Sequence, residues 1–429
     1  MIRPNIGNGI PKLQRDTLSD VPTLRSPLHL NFAIWYPLAV YAATRLIDAL
    51  FILIVARHQI ALSGIIDGYH VTLPSPADPG YATVASNWDG QWFMQIANVG
   101  YPDNLPRDSA GEVTMNAWAF PPAYPMLVRI VMAATGLNFY IAASTLSLVL
   151  GAVAVTVLFQ LMQQATNHFT ACATTVLTCT FVASPVLQLA YSESLALLLV
   201  CLSLTLLRAQ RYVWLSLVIL LLALTKPIGL ALAPVIVIHG LWRYRLRAST
   251  PFGQRDMWPI AGTAVLSVAA AGLWPAIVAF VTGVPSAYLQ SELAWGLPGR
   301  SRILTAWFAD AWTRGGAGGL ALLLFVVTLL AGVVIRPGAG EWGVEVRAWA
   351  ATYPTYLLLV TTPQTSILRL FIFAFPFLWP FPESPKSTSE RRMRLTAVVL
   401  MALGGLALQW VWVSDLLIVS NSPPINSPP

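Results

Sequence analysis

The sequence is poor in charged residues. Only 10% of its 429 residues are Asp, Glu, Lys or Arg, whereas a soluble domain carries about 25%. Hydrophobic residues make up 56% of the chain, and the mean hydropathy is +0.66. A surface with so little charge does not suit water as the surrounding solvent. The composition therefore excludes an ordinary soluble protein and favours a chain embedded in lipid.

Cysteine and recognisable cofactor motifs are equally scarce. The three cysteines, Cys172, Cys179 and Cys201, all lie in apolar stretches and match no metal-site spacing. The histidines form no ligand pattern, and the chain has no P-loop, dinucleotide fingerprint or zinc motif. The sequence therefore predicts no metal site and no cofactor, and it leaves open whether activity depends on a metal ion.

The chain has a formal net charge of +7. Such a charge is compatible with nucleic-acid binding, but in a membrane protein positive charge mostly lies in cytoplasmic loops and sets the orientation. We therefore expect membrane lipids as partners and no nucleic acid.

Apolar runs of about 20 residues recur between Asn31 and Ser414 and are typical of transmembrane helices. They predict an all-α, polytopic membrane protein with about 11 transmembrane helices. The predicted spans are 31–56, 138–163, 170–189, 192–208, 212–225, 228–242, 258–283, 318–336, 346–362, 367–382 and 395–414. The apolar stretch 119–136 contains three prolines and an arginine, which favours a re-entrant or interfacial element instead.

Positive charge decides the orientation. Residues 1–30 contain four basic residues and no apolar core with a cleavage site, which favours a cytoplasmic tail over a signal peptide. If 119–136 is not a span, 16 of the 25 basic residues are cytoplasmic, as the positive-inside rule requires. We therefore predict one transmembrane domain over 31–414, with a long first extracytoplasmic loop (57–137) that contains amphipathic interfacial helices, and a short extracytoplasmic tail (415–429). The expected location is the cell membrane.

The 16 basic residues are Arg3, Lys12, Arg15, Arg25, Arg208, Arg211, Arg243, Arg245, Arg247, Arg255, Arg336, Arg347, Lys386, Arg391, Arg392 and Arg394.

The stretch 87–102 of the first loop has the pattern of an amphipathic helix. Its apolar residues at helical spacing are Trp88, Trp92, Phe93 and Ile96. We expect this face to point toward the acyl chains, with Asp89 and Gln91 at the water-facing edge. An acid at that depth can meet a lipid-borne substrate. The alternative for Asp89 is a helix N-cap.

Several other polar segments are predicted to reach the same outer face at the mouths of helices. They are Tyr191-Ser192-Glu193, Thr225-Lys226-Pro227, residues 284–317 and the stretch from Thr361 to Arg369. Their convergence with the first loop predicts a functional site on the extracytoplasmic side.

Five motifs follow one another along the chain. They are Trp88-Asp89-Gly90 with Gly100-Tyr101-Pro102, Phe120-Pro121-Pro122-Ala123-Tyr124-Pro125, Tyr191-Ser192-Glu193-Ser194-Leu195, Tyr288 to Trp295, and Ser366 to Arg369 with Pro376. Their order resembles the bacterial relatives of the second mannosyltransferase of glycosylphosphatidylinositol anchor synthesis, a polytopic GT-C glycosyltransferase. The resemblance implies a GT-C-like fold, a polyprenyl- or dolichyl-phosphate mannose donor and an extracytoplasmic active site. It also implies an essential acid in the first outer loop, which by motif position is Asp89.

This chemistry requires one proton acceptor. A sugar that leaves as a lipid phosphate needs no general acid, so one carboxylate can take the proton of the acceptor hydroxyl in an inverting displacement. Asp89 is the predicted base. Glu193 has two possible roles. It either orients the substrate or supports Asp89, or it is structural and stabilises the start of its helix through the helix dipole.

The remaining candidate residues are assigned to substrate binding. The candidate phosphate ligands are Lys226, Arg300, Arg302 and Arg369, and the alternative for each is a cation that extends to the lipid headgroups. The other candidates are Trp88, Gln91, Tyr191, Gln290 and Trp295, although an interfacial tryptophan is ordinary in membrane proteins.

The predicted function is transfer of a hexose, mannose by the resemblance, from a lipid-linked donor to a glycolipid or glycan acceptor. The alternative functions are a secondary transporter and a flippase for lipids or lipid-linked sugars. Transporters place their sites near the bilayer midplane and often in repeated halves, whereas this sequence has no internal repeat and its charged residues lie at helix ends.

Overall fold

The chain is built almost entirely of helices within residues 27–66, 69–295 and 304–420, which the computed structural model describes. In the first half of the chain the α-helices are α1 (Pro27–Ala56), α2 (Tyr81–Val84), α3 (Asp89–Asn98), α4 (Ala123–Thr135), α5 (Phe139–Ala165), α6 (His168–Cys179), α7 (Glu193–Arg208) and α8 (Tyr212–Ala223). In the second half they are α9 (Leu232–Arg245), α10 (Gln254–Ala271), α11 (Leu273–Thr282), α12 (Ala287–Ala294), α13 (Ala306–Ile335), α14 (Gly343–Val360), α15 (Ile367–Leu370) and α16 (Thr388–Trp412).

Shorter elements connect these helices. The 3₁₀ segments are Ala117–Ala119, Ser184–Gln188, Pro227–Ala231, Pro337–Trp342 and Phe371–Leu378, and a π-helical turn, Val413–Leu417, follows α16. Two short strands, β1 (Ile65–Ile66) and β2 (Tyr69–His70), form an antiparallel pair in the first loop.

Each of the eleven predicted spans coincides with helical structure, but the lengths differ. Five of the described helices are long and apolar enough to cross a membrane: Asn31–Ala56, Phe139–Ala165, Pro227–Arg245, Ala306–Ile335 and Thr388–Leu417. The bent pair α10 and α11 adds a sixth if it counts as one span. Helices of this length and composition are typical of a membrane protein. The other predicted spans are shorter, such as α8 with 12 residues, so the count of eleven crossings stays a prediction.

Two breaks in the helices have clear local causes. The predicted re-entrant stretch 119–136 forms only the 13-residue α4, which ends at Gly136 with a φ of 72°. A left-handed glycine at that position is a common helix stop. In α13, Gly316 has a φ of 54° and interrupts the helix, so its second half begins close to the predicted start of the span 318–336.

The core of the bundle is formed around α5 and α7. Helix α5 packs against α1, α4, α6 and α7, while α9 packs against α10 and α14. Gly151 allows the close approach of α1 to α5, because a Cβ atom there would lie 2.9 Å from the Tyr41 ring. By contrast, α13 has no buried residue and contacts mainly α14.

The two ends of α7 lie in two separate polar clusters. Its first residue, Glu193, pairs with Lys226 and Arg369. Its last residue, Arg208, pairs with Glu345 at the start of α14. A helix rises 1.5 Å per residue, so the two clusters are roughly 22 Å apart along α7.

Two arginines predicted to share the cytoplasmic face, Arg208 and Arg243, belong to the cluster at the Arg208 end. Glu345 also contacts His239 at 2.8 Å, and His239 contacts the Tyr212 hydroxyl at 3.1 Å. Arg243 bonds to that same hydroxyl and pairs with Asp256. These residues lie at the opposite end of α7 from Glu193, and their assignment to the cytoplasmic face stays a prediction.

Candidate functional site

Helix α3 begins at Asp89 rather than being capped by it. The N-cap position is Trp88, which has a φ of 56° and a ψ of −116° and makes no side-chain capping bond. This backbone conformation is uncommon for a bulky residue and strained backbone often marks functional sites. The Asp89 carboxylate instead faces Arg369, so the alternative of a simple N-cap is not what the side chain does.

Four charged side chains from four distant segments form a single cluster, which we call the charged cluster: Asp89, Glu193, Lys226 and Arg369. Arg369 Nη1 lies 2.5 Å from Asp89 Oδ2 and 3.3 Å from Glu193 Oε1. Lys226 Nζ lies 3.0 Å from the same Glu193 oxygen. The sequence predicted all four residues, and the fold brings them together.

The charged cluster is buried at its centre and open at its edges. Glu193 is fully buried, while 12% of the Asp89 side chain and 16% of the Lys226 side chain remain exposed. Ionised groups at this depth require opposite charges and hydrogen bonds. The two cations satisfy that need, and the start of α7 adds a favourable helix dipole for Glu193.

The polar contacts of the cluster are incomplete among the described residues. Glu193 Oε2 and Arg369 Nε are buried there without a hydrogen-bond partner. Such groups are uncommon in proteins and frequently contact water or ligand. The cluster therefore has unused bonding capacity next to its exposed carboxylate.

Tyr191 and Trp88 position the residues that carry the charges. The Arg369 guanidinium lies 5.1 Å from the centre of the Tyr191 ring, and the Tyr191 hydroxyl donates to Asn87 O at 3.1 Å. The Trp88 indole donates to Leu417 O at 2.9 Å. Residues 415–420, predicted to begin the outer tail, thus pack beside the start of α3, on the same side of the fold as the first loop.

An aromatic stripe on α14 supports the two cationic residues. The Tyr353 hydroxyl donates to Leu370 O at 2.8 Å, next to Arg369, and the Tyr356 hydroxyl donates to Pro227 O at 2.7 Å, next to Lys226. The Trp349 indole donates to Phe373 O at 2.8 Å. These three residues follow helical spacing and lie on one face of α14. None of the three was predicted as a site residue, although their periodicity is visible in the sequence.

The prediction that the aromatic face of α3 points toward the acyl chains is wrong. Trp92, Phe93 and Ile96 are buried within the protein. The Trp92 ring stacks with Phe120 at a centroid distance of 6.1 Å and meets Trp295 edge-on at 5.1 Å. The hydrophobic pattern was read correctly, but neighbouring protein segments, and not lipid, cover it.

Two predicted substrate-binding glutamines bond to loop residues. The buried Gln91 Oε1 accepts hydrogen bonds from the backbone N–H groups of Thr72 and Leu73, at 3.0 and 3.3 Å. Gln290 Oε1 accepts a bond from Arg107 at 3.1 Å. Both glutamines therefore hold parts of the first loop in place.

Arg300 and Arg302 lie outside the described residues.

Glu292 is a further acidic residue that the sequence analysis left unassigned. It lies on α12, between Gln290 and Trp295, and is exposed. Its charge interacts with those of Lys226 and Asp89. Its place inside the motif from Tyr288 to Trp295 was the available signal.

An apolar groove of about 270 Å³ lies between α13 and α14. Its walls include Leu323, Val327, Leu330, Ala351, Leu358 and Phe371. Trp307 lines it as well, and its indole donates to Thr361 Oγ1 at 3.4 Å. Phe371, which lines the groove, follows Arg369 of the charged cluster by two residues.

No group of three or more His, Cys, Asp or Glu side chains that could hold a metal ion occurs among the residues that the structure describes.

The fold is similar to solved structures of an oligosaccharyltransferase from Archaeoglobus fulgidus. The complex with zinc and sulfate matches with a TM-score of 0.47 and 13% identity, over 87% of this chain and 53% of that one. The apo form matches with a TM-score of 0.48 and 12% identity, over 89% and 56%. The complex of this enzyme, AglB, with an inhibitory peptide and a dolichol-phosphate matches with a TM-score of 0.46 and 12% identity, over 89% of this chain and 56% of that one. The chain thus spans about half the length of these proteins. Neither a protein-family model nor a curated protein sequence matches it.

Proposed function

We propose that the protein is a membrane glycosyltransferase that transfers a hexose, specifically mannose, from a polyprenyl phosphate to a glycolipid or glycan acceptor. The charged cluster is the observation that carries this proposal. It combines a partly exposed carboxylate, Asp89, with two cations that suit a phosphate group, Lys226 and Arg369. Arginine and lysine both bind phosphate, and arginine does so with two parallel hydrogen bonds.

In the proposed reaction the acceptor hydroxyl attacks the anomeric carbon of the donor sugar. The bond between that carbon and the phosphate oxygen breaks, and the polyprenyl phosphate leaves with the electron pair. Asp89 takes the hydroxyl proton, while Lys226 and Arg369 stabilise the charge that develops on the leaving phosphate. One displacement inverts the anomeric configuration.

In this scheme the ion pair between Asp89 and Arg369 is replaced: Arg369 binds the donor phosphate, and Asp89 binds the acceptor hydroxyl. The donor phosphate accepts hydrogen bonds from Arg369, which weakens the hold of the guanidinium on Asp89. The carboxylate then becomes a better proton acceptor once the donor is bound. Catalytic hydrogen bonds commonly reorganise in this way between free enzyme and substrate complex.

The groove between α13 and α14 suits the lipid chain of the donor. Its walls are apolar, and Phe371 places one end close to Arg369. A polyprenyl chain in the groove would thus bring its phosphate toward the two cations. Burial of each CH₂ group contributes about 0.8 kcal/mol, so a few isoprene units supply substantial affinity.

The proposed arrangement has eleven membrane crossings and an extracytoplasmic site in the cell membrane. The site lies at the end of α7 opposite the arginine-rich cluster around Arg208. The positive-inside rule assigns an arginine-rich end to the cytoplasm, which leaves the site on the outer side.

The test is transfer of labelled mannose from polyprenyl-phosphate mannose to endogenous acceptors in membranes that contain the protein. We expect transfer by the wild-type protein and a rate about 10²–10⁴-fold lower for Asp89→Asn. Polyprenyl-phosphate glucose and galactose, supplied in parallel, identify the hexose. If no lipid-phosphate hexose is used while proteoliposomes accumulate a soluble solute or move lipid-linked sugars between leaflets, the protein is a transporter or a flippase instead.

A further inference from the structure

Glu292 shares one face of α12 with two aromatic residues. Tyr288, Glu292 and Trp295 follow at intervals of four and three residues, and the Tyr288 hydroxyl bonds to the Glu292 carboxylate. Next to this face, Ser291 and Ala287 are buried and anchor the helix. Glu292 itself remains exposed on the surface of α12.

This face of α12 meets the face of α3 that carries the proposed base. The Trp295 ring contacts the Trp92 ring edge-on, with centroids 5.1 Å apart. Trp92 follows Asp89 by three residues, and Glu292 precedes Trp295 by three. Both carboxylates thus lie beside one aromatic contact, on neighbouring helices.

The charges around Glu292 agree with this arrangement. Removal of water by surrounding protein raises the pKa of its carboxyl to about 7, whereas the Tyr288 hydroxyl and the Lys226 ammonium act to lower this pKa. The Asp89 carboxylate raises it further, and the Glu292 charge in turn raises the pKa of Tyr356.

Glu292 differs from Asp89 and Glu193 in its partners. Both of those carboxylates form ion pairs with Arg369, whereas Glu292 forms none with any residue that the structure describes. An exposed carboxylate without a cation accepts hydrogen bonds from hydroxyl groups. A neighbouring tryptophan such as Trp295 offers the flat apolar surface on which a sugar ring packs.

We propose that Glu292, with Tyr288 and Trp295, forms the binding site for the acceptor, and that this acceptor is a hydroxyl-rich sugar or polyol. Glu292 accepts hydrogen bonds from acceptor hydroxyls and holds the attacking one near Asp89. Asp89, not Glu292, takes the proton. This inference rests on the proposed glycosyl transfer.

The test compares Glu292→Gln with Glu112→Gln, which makes the same change at an exposed carboxylate of the first loop. Charge-assisted hydrogen bonds to substrate correspond to about a ten- to hundredfold change in affinity. We expect Glu292→Gln to raise the acceptor KM by that factor while the donor KM stays unchanged. Glu112→Gln should leave both constants unchanged.

The pH dependence of kcat/KM for the acceptor tests acceptor binding separately, because a merely structural role of Glu292 would leave it unchanged. Because the ionised carboxylate is the better hydroxyl acceptor, kcat/KM for the acceptor should fall as the pH drops through about 7 in the wild type. Glu292→Gln should lose this fall of kcat/KM at low pH, whereas Glu292→Asp should keep it with a raised acceptor KM.

The possible failures are distinguishable. A wild-type protein that uses no lipid-phosphate hexose overturns the proposed function itself. An active wild type whose Glu292→Gln variant has a normal acceptor KM and an unchanged pH profile overturns only the acceptor site. Equal increases of the donor and acceptor KM would also contradict it, since they indicate a general disturbance.

Discussion

Arg369 Nη1 lies 2.5 Å from Asp89 Oδ2, although 280 residues separate the two in sequence. The same guanidinium contacts Glu193, so one cation holds two carboxylates from two helices. A phosphate that binds Arg369 competes with Asp89 for it. Donor binding and activation of the proposed base are thereby linked through a single side chain.

The first prediction concerns the proposed base. Asp89→Asn keeps the size of the side chain but cannot accept a proton at neutral pH. A general base contributes about 10²–10⁴-fold, so we expect transfer to fall by that factor. Glu193 still pairs with Arg369 in this variant, so the protein should remain folded. Initial rates and the melting temperature of the purified protein measure both effects.

The matched control is Asp103→Asn, at an exposed position of the first loop. It should retain normal turnover. A folded Asp89→Asn protein with near-normal turnover would show that Asp89 has only a structural role.

The second prediction concerns the donor phosphate. Lys226→Met removes the charge and keeps most of the side-chain length, and Glu193 keeps Arg369 as its partner. A charge-assisted contact contributes about 1.5–3 kcal/mol, so the donor KM should rise roughly ten- to a hundredfold. The control is Lys386→Met, because Lys386 is exposed at the start of α16. An unchanged donor KM in Lys226→Met would mean that the phosphate binds elsewhere.

The sequence predicted the charged cluster better than its surroundings. Asp89 was predictable from its place in the amphipathic stretch of the first loop, and Glu193, Lys226 and Arg369 from their places at the mouths of helices, where ionised residues are few in this chain. Their pairing was not predictable, since it depends on how segments 280 residues apart pack together. The break inside α13 at Gly316 and the end of α4 at Gly136 have local causes, since both glycines adopt a positive φ.

The sequence was a poor guide to what covers each apolar face. Lipid and protein interior both select the same side chains, so hydrophobic periodicity cannot distinguish them. For this reason the face of α3 with Trp92 and Phe93 was predicted to contact lipid, whereas Phe120 and Trp295 cover it. The support from Tyr353 and Tyr356 depends likewise on tertiary packing.

The third prediction concerns the support of Arg369 by α14. Tyr353→Phe removes the hydroxyl that donates to Leu370 O. A neutral hydrogen bond contributes about 0.5–1.5 kcal/mol, so stability should fall by that amount and the donor KM should rise a few-fold. Thermal unfolding and donor titration measure the two effects.

Tyr140→Phe is the control, because that half-buried hydroxyl makes no hydrogen bond to another described residue. A Tyr353→Phe protein that matches Tyr140→Phe in both measurements would contradict the supporting role of α14.

The fourth prediction concerns the groove between α13 and α14. Ala351→Trp places a large side chain in the groove. Ala321→Trp is the control, because Ala321 is exposed on α13 and does not line the groove. We expect Ala351→Trp to raise the KM for a long-chain polyprenyl-phosphate sugar and to affect a short-chain analogue much less. An equal effect on both donors would show that the lipid chain does not bind there.

The last prediction concerns orientation. Ser109, in the first loop, should be extracytoplasmic, while Ser389, at the start of α16, should be cytoplasmic. Both positions are exposed, and Ser389 is preferable to Ser387 because the Ser387 side chain caps α16. We expect an impermeant thiol reagent to label Ser109→Cys in intact cells, and to label Ser389→Cys only after the membrane is permeabilised. The unsubstituted protein is the control for its own cysteines, of which Cys179 and Cys201 are buried. The reverse labelling pattern would place the charged cluster on the cytoplasmic side and rule out an extracytoplasmic transfer reaction.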